Sequence, residues 1–350
     1  MQISKLLSRD NFREGVFSRD KHRCVFCELP AVDAHHIFER RLWDDGGYYL
    51  ENGASVCEKH HLECEMTLIS VEDVREACGI TKIIVPDILY EDQMYDKWGN
   101  PVLSNGHRTR GPLFYDENVQ KILKEGNVLE KFVSYVKASR TMHLPWSPGI
   151  HDDDRIIKNL DAFHDQEVVV TIKFDGENTS MYSDYFHARS IDGRSHPSRS
   201  WAKSKWGQIC GDIPKGWRVC GENVYATHSI HYTDLEDYFY GFGIWNEHNI
   251  RLDWDDQLEW FKLLNITPVT ELYRGLWDEK KIKSLWDEKN HDTMEGYVVT
   301  TVKGFPYGQY HKNVAKFVRK GHVQTNKHWM HGQRIIPNEL RKIDNEDNNS

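Results

Sequence analysis

The chain has 350 residues, 39% hydrophobic, 12% aromatic and 28% charged, with a formal charge of −9. This length points to two or three domains, and the composition excludes a disordered chain. The absence of any run of about 18 apolar residues excludes a membrane-spanning helix, and the negative charge excludes a uniformly basic nucleic-acid coat, so a polyanion site must be a local patch.

Met1–Lys5 carries no apolar signal core, so a cytoplasmic location is expected. Five of the seven cysteines (Cys24, Cys27, Cys57, Cys64 and Cys78) precede residue 80. An odd total with this clustering argues for a reduced protein with a metal site rather than a disulfide scaffold. The first region therefore runs over residues 1–80, and Ser70 caps a predicted helix that Gly79 ends. Residues 81–140 are rich in Gly and Pro up to about 115. They read as an irregular connector, followed by a helix that Gly126-Asn127 splits. Short strands then dominate: β-branched runs occupy 167–172, 297–302 and 314–318, while 253–264 and 276–285 read as helices. Residues 141–330 form the large domain, and 331–350 read as a polar tail that frays from Asn338.

Within the first region, Cys24-Val-Phe-Cys27 and Cys57-Glu-Lys-His60 make two ligand pairs, each with two intervening residues. Thiolate and imidazole at that spacing suit a structural, tetrahedral Zn2+ that staples a loop lacking a core. Between the pairs lie Asp33-Ala-His35-His36-Ile37 and Asn52, and His61 follows His60. With these residues the segment resembles the HNH, or ββα-metal, nuclease finger. The resemblance implies that His35 and His61 hold a catalytic divalent ion, that His36 is the general base, and that Asn52 braces the loop and orients His36. A finger that only binds nucleic acid keeps the same residues. Cys64 and Cys78 read as buried thiols.

In the large domain, the run 168–172 ends at Lys173-Phe-Asp175-Gly176, which sets an amine at a strand end, and Gly176 is expected to let the backbone approach a ligand. Arg218-Val-Cys-Gly-Glu222-Asn is a strand ending in a carboxylate, and Tyr238-Phe-Tyr-Gly-Phe242-Gly243-Ile-Trp is an aromatic strand. Met294-Glu295-Gly opens another strand, and Val314-Ala-Lys316-Phe-Val318-Arg319-Lys320 brings cations to a strand end. That order, spanning 173–320, resembles the covalent nucleotidyltransferase superfamily of ATP-dependent RNA and DNA ligases and mRNA capping enzymes. Within it the chain looks like an RNA ligase of the phage and bacterial branch.

The resemblance implies the following roles. Lys173 attacks the ATP α-phosphorus to give lysyl-AMP, for which its amine must lose a proton. Arg189 lies near the nucleotide sugar and acceptor phosphate, Glu222 hydrogen-bonds the ribose, and Phe242 stacks on adenine, with Tyr240 or Phe239 as alternates depending on register. Glu295 coordinates Mg2+ or Mn2+, and Lys316 contacts the α-phosphate. Val318 stands where many relatives have a second lysine, so the second cation is Arg319 or, preferably, Lys320. Gly243 stands where some relatives carry an acid.

Two stretches are locally basic: 303–327 has six Lys/Arg and no acid, and 186–218 has seven against Asp192 and Asp212, both interleaved with aromatics. They suggest a phosphate groove with base stacking. The expected fold is α+β: a ββα-metal zinc finger, a connector, and an antiparallel-sheet adenylyltransferase (ATP-grasp-like ligase) domain. The expected function is ATP-dependent sealing of 5′-phosphate to 3′-hydroxyl RNA ends or nicks, with no membrane partner and the oligomeric state left open. The rivals are an HNH endonuclease, a bifunctional cut-and-seal enzyme, a non-catalytic nucleic-acid sensor, a DNA ligase and a GTP-using capping-type enzyme.

Overall fold

A computed structural model of the protein describes residues 5–151, 154–191, 196–321 and 335–342. The chain divides into two units, Met1–Arg140 and Thr141–Ser350. No helix among the described residues is long and apolar enough to cross a membrane.

The first unit opens with α1 (Arg9–Arg19), capped by the Ser8 side chain and burying Phe12 and Val16. Strands β1 (Asp33–His36) and β2 (Gly53–Val56) form an antiparallel hairpin, with His35 opposite Ala54 and His36 opposite Gly53. Helix α2 (Glu58–Glu65) starts directly after Cys57, and α3 (Val71–Ala77) has a reciprocal capping box between Ser70 and Asp73. Helix α4 (Glu117–Glu125) is capped by Asp116 and ends at Gly126. Residues 81–140 are irregular in backbone yet supply core. Leu89 and Tyr95 join the finger's cluster with Cys24, Ile37, Leu42 and Val56. Trp98, Phe114, Val119, Leu123 and Val128 form a second cluster. The turn at 96–100 is knitted by Asp96, which accepts from the Trp98 and Asn100 amides at 2.9 and 3.0 Å and pairs with buried Arg108 at 3.0 Å.

The second unit holds two five-stranded sheets. Its elements in chain order are β3 (Met142–His143), β4 (Glu167–Lys173), β5 (Glu177–Met181), β6 (Phe186–Ala188), α5 (Ser200–Ile209), β7 (Arg218–Asn223) and β8 (Phe239–Trp245). Then follow α6 (Trp254–Leu263), β9 (Thr267–Pro268), β10 (Glu271–Leu276), α7 (Glu279–Lys283), β11 (Gly296–Thr301), α8 (Tyr310–Asn313) and β12 (Val314–Val318). One sheet runs β10-β4-β11-β12-β3 and the other β6-β5-β7-β8-β9. All pairings are antiparallel except β12 with β3 and β8 with β9. Val168, Val169 and Val170 are fully buried, so central β4 reads as a continuous apolar run. Side chains of both sheets share a core of Val169, Phe174, Val224, Tyr240 and Val302, which sets the sheets face to face. The helix expected over 276–285 is shortened to α7. Leu276 remains in β10 opposite Glu167, and the Trp277 amide bonds to Gln166 O at 2.9 Å, so sheet pairing overrides the helical pattern.

Asn338, expected to fray, is instead buried. Its Oδ1 accepts from the Tyr232 amide and Thr227 Oγ1, each at 2.9 Å, and its Nδ2 donates to Val224 O at 2.7 Å. A polar residue with three internal partners replaces water fully, which is why it docks. Replacing Asn338 with Ala leaves these groups unpaired. It is expected to cost about 1–3 kcal/mol, read as a fall in the midpoint of thermal unfolding.

Candidate functional site

Lys173 is the last residue of β4, and Gly296 of β11 lies between it and Val318 of β12. Residues directly opposite on a ladder share a face, as do residues two apart along a strand. Lys173, Thr171, Val298 and Lys316 therefore lie on one face, 143 residues apart in sequence at the extremes. A Cβ on Gly296 would run into the Phe317 carbonyl, so only glycine lets β11 and β12 close here. Immediately before it, Glu295 is buried, and its amide bonds to Lys173 O at 3.0 Å. That backbone link brings the Glu295 carboxylate onto the Lys173 amine, forming a hydrogen-bonded ion pair. Gly176 is also required by packing: a Cβ there would stand 2.6 Å from Asn223 O on β7.

Burial opposes the charge on Lys173, but Glu295, Glu222 and Asp175 outweigh it and raise the pKa, so the resting amine is an ammonium. The Lys316 pKa is lowered, by burial and then by the neighbouring Lys173 charge. Lys316 also lies 3.5 Å from Asp154 Oδ1. Asp154 Oδ2 in turn lies 3.2 Å from Nε2 of His143, which sits beside Lys316 on β3 with Nδ1 2.8 Å from Ser147 Oγ. Sequence reasoning missed this His143–Asp154 support, because a two-residue parallel strand leaves no periodic signal.

Glu222 of β7 interacts with the charges of Lys173 and Glu295, and burial pushes its carboxyl up to about 8. The folded state then holds a proton that the unfolded chain releases above the ordinary value of 4.5. Stability conferred by this group is present below that value and is lost as pH rises towards 8. Thermal unfolding of the nucleotide-free protein should therefore fall with pH across that window, and Glu222→Gln should flatten the slope.

The β7–β8 register shifts between Cys220 and Gly221, which pair with Gly243 and Gly241 and leave Phe242 as a bulge. This decides among the three aromatics. Phe239 is fully buried, and Tyr240 stacks on Phe174 with centroids 4.3 Å apart and accepts the Glu236 amide. Phe242 is partly buried and borders Cys220 and Val298, so it alone of the three keeps ring surface for a base. Arg189 follows edge strand β6 and is exposed. Lys320 is also exposed, whereas Arg319 is buried against His291.

The basic stretches are largely committed inside the unit. Arg199 pairs with Glu177, Arg218 lies over Trp245, and Lys303 bonds Asp253 at 2.7 Å. Trp201, Trp206 and Trp217 pack on the core of the second sheet. Asp192, Arg194 and Lys327 lie outside the described residues.

In the first unit, one ligand atom from each of Cys24, Cys27, Cys57 and His60 lies within 4.8 Å of the others. Cys27 and Cys57 Sγ are 3.7 Å apart, close to the ~3.8 Å that two Zn–S bonds of about 2.3 Å span at a tetrahedral angle. His60 Nδ1 is 3.3 Å from both Cys24 and Cys57 Sγ. Helix α2 aims the His60 amide at Cys57, which draws that thiol down to about 7. The donor set fits zinc.

The second cluster brings together His35, His61 and Glu65. Glu65 was missed; its signal was the spacing of four from His61 on one helix face. His36 is not part of it. His36 points to the other face of β1, stacked on Phe12 at 4.6 Å, and Asn52 bonds backbone at Phe38 and Gly47 rather than the imidazole. Burial, then Lys97, lowers His36 to about 4 and His35 to about 3. Both His35 Nδ1 and His61 Nε2 approach the same oxygen, Glu65 Oε1, at 3.5 and 3.4 Å. That oxygen already binds Lys97 Nζ at 3.0 Å. A divalent ion on that oxygen would lie against the Lys97 ammonium and be repelled by it. With Lys97 in place, this donor set does not fit a catalytic metal.

The second unit thus gathers a strand-end amine on a carboxylate, a second carboxylate, a half-open aromatic and a second lysine on the face of the first. Residues 166–318, which hold all five, match the family described as RNA ligase, under half of the chain. No curated protein matches. Among solved structures, the chain is similar to a mutant of the Naegleria gruberi RNA ligase with ATP and Mn (16% identity, 53% of this chain and 56% of that one, TM-score 0.38). It is also similar to an archaeal ATP-dependent RNA ligase (13%, 51% and 48%, 0.37) and to a putative ATP-dependent DNA ligase from Aquifex aeolicus (15%, 67% and 55%, 0.36). The chain spans about half the length of these structures.

Proposed function

We propose that this protein is an ATP-dependent RNA ligase. One observation carries the reading: the Lys173 amine lies on Glu295, on the same sheet face as Lys316, inside the span that matches RNA ligases. Phe242 stacks on the adenine and Glu222 takes the ribose hydroxyls. Its burial-raised carboxyl is suited to exchanging hydrogen bonds with a neutral partner.

The Lys173 nitrogen, once deprotonated, attacks the α-phosphorus of ATP. A P–N bond forms, the bond to the β-phosphate oxygen breaks, and pyrophosphate leaves. A 5′-phosphate oxygen of the RNA then attacks the same phosphorus, breaking the P–N bond and giving an adenylated end. The 3′-hydroxyl attacks the 5′-phosphate, and AMP departs. Lys316 stabilises charge on the non-bridging oxygens in each step, and Asp154 with His143 holds it there. Glu295 would hold Mg2+ or Mn2+, which would supply charge neutralisation. Glu295 also orients the amine, and once the ammonium loses its pairing with that carboxylate its proton passes to bulk water before the attack. Arg189 and Lys320, both exposed, meet the acceptor phosphate. Cys24, Cys27, Cys57 and His60 hold a structural zinc.

Incubation with α-labelled ATP followed by a denaturing gel tests this reading. A labelled protein band should appear, and it should discharge on addition of a nicked, 5′-phosphorylated RNA duplex. An unlabelled protein overturns the reading, and equal labelling by GTP redirects it to a capping-type enzyme.

A further inference from the structure

We propose that Lys97 takes the place of the divalent ion in the His35–His61–Glu65 cluster, so that the finger carries zinc alone and does not cut nucleic acid. The reading is independent of the ligase assignment. A catalytic ion here would bridge β1, through His35, and α2, through His61 and Glu65. Lys97 bridges the same two elements: its Nζ donates to the His36 carbonyl on β1 at 2.8 Å and pairs with Glu65 on α2 at 3.0 Å. The residue is only 4% exposed. The turn that delivers it is rigid, because Asp96 ties the Trp98 and Asn100 amides to Arg108, and Trp98 Nε1 bonds Glu65 O at 2.9 Å. The Lys97 carbonyl also accepts from the Glu39 amide at 3.0 Å.

The contrast with Lys173 is instructive. That lysine also sits on a carboxylate, but its side chain is 23% exposed and its amine must release Glu295 in order to react. Lys97 has no such chemistry, and a backbone carbonyl holds it from the other side. The remaining cluster is otherwise ready for an ion. His35 Nδ1 is buried without a hydrogen bond, His61 Nε2 lies 3.2 Å from Asp33 as well as near Glu65, and the three ligand atoms converge. Geometry favours a metal and the charge of Lys97 opposes it, so removing that charge should create the site.

Mn2+ equivalents bound by the full-length, zinc-loaded protein, counted by electron paramagnetic resonance, test this. The wild type and His61→Ala should bind the same number, any Mn2+ at the nucleotide site being common to both. Lys97→Met should gain about one equivalent, and the double variant Lys97→Met/His61→Ala should lose it again. The proposal is overturned if His61→Ala alone removes an equivalent, or if Lys97→Met keeps its zinc and gains none. Should Lys97→Met fail to fold, the wild-type comparison with His61→Ala still decides. Divalent-metal-dependent cleavage of RNA or DNA that His61→Ala abolishes would equally overturn it.

Discussion

Replacing Lys173 with Ala is expected to abolish transfer of label from α-labelled ATP and to lower overall sealing by at least about 10³-fold. The residue ends a buried central strand with its side chain partly exposed, so the substitution deletes the nucleophile at little cost to packing. Lys173→Arg separates charge from nucleophilicity: a guanidinium keeps the ion pair with Glu295 but stays protonated, so it too should form no adduct. The last step needs no lysyl adduct. Both variants should therefore still join an RNA that already carries a 5′-adenylate, whereas a misfolded protein would not. Lys316→Ala should slow adenylation and sealing of the adenylated end alike, by about 10²–10³-fold, because it acts on phosphoryl charge in both. If Lys173→Ala still labels, the assignment of the amine is wrong.

The second large effect concerns zinc. Chelation, or Cys57→Ala, should unfold much of the first unit, because Cys24 and Cys57 belong to its core as well as to the ligand set. Structural zinc sites of this kind contribute on the order of 10 kcal/mol, comparable to the whole net stability of a unit of this size. Amide hydrogen exchange should show lost protection in β1, β2 and α2 while β4 and β11 keep theirs. Zinc content should be one per chain, and unchanged exchange in zinc-free protein would refute the site.

The ligand pairs were legible because sequence spacing alone sets them: two residues between ligands put both on one turn, as at Cys57 and His60. Lys173, Glu222, Glu295 and Lys316 were legible as an ordered series of strand ends, since a strand's apolar run and its terminal polar residue are local features. Phe242 was not separable from Tyr240 and Phe239, because a bulge resets the alternation and its position depends on the partner strand. His36 was read as a base beside His35, yet neighbouring strand residues point to opposite faces, and which face meets α2 is fixed only by packing against Phe12. The basic stretches illustrate the same limit. Composition counts Arg199, Arg218 and Lys303, but only the fold reveals that acids and aromatic rings already engage them.

By itself the sequence determined the pairing of Cys24 and Cys27 with Cys57 and His60, the strand carrying the amine and the order of the groups around it, all of which depend on short-range periodicity and spacing. The tertiary structure alone decided that Lys173 rests as an ammonium on Glu295, that Phe242 is the open ring, and that Lys97 lies on Glu65. These are contacts between residues far apart in the chain. Their energies depend on burial and on distances of a few ångströms, which no local pattern encodes.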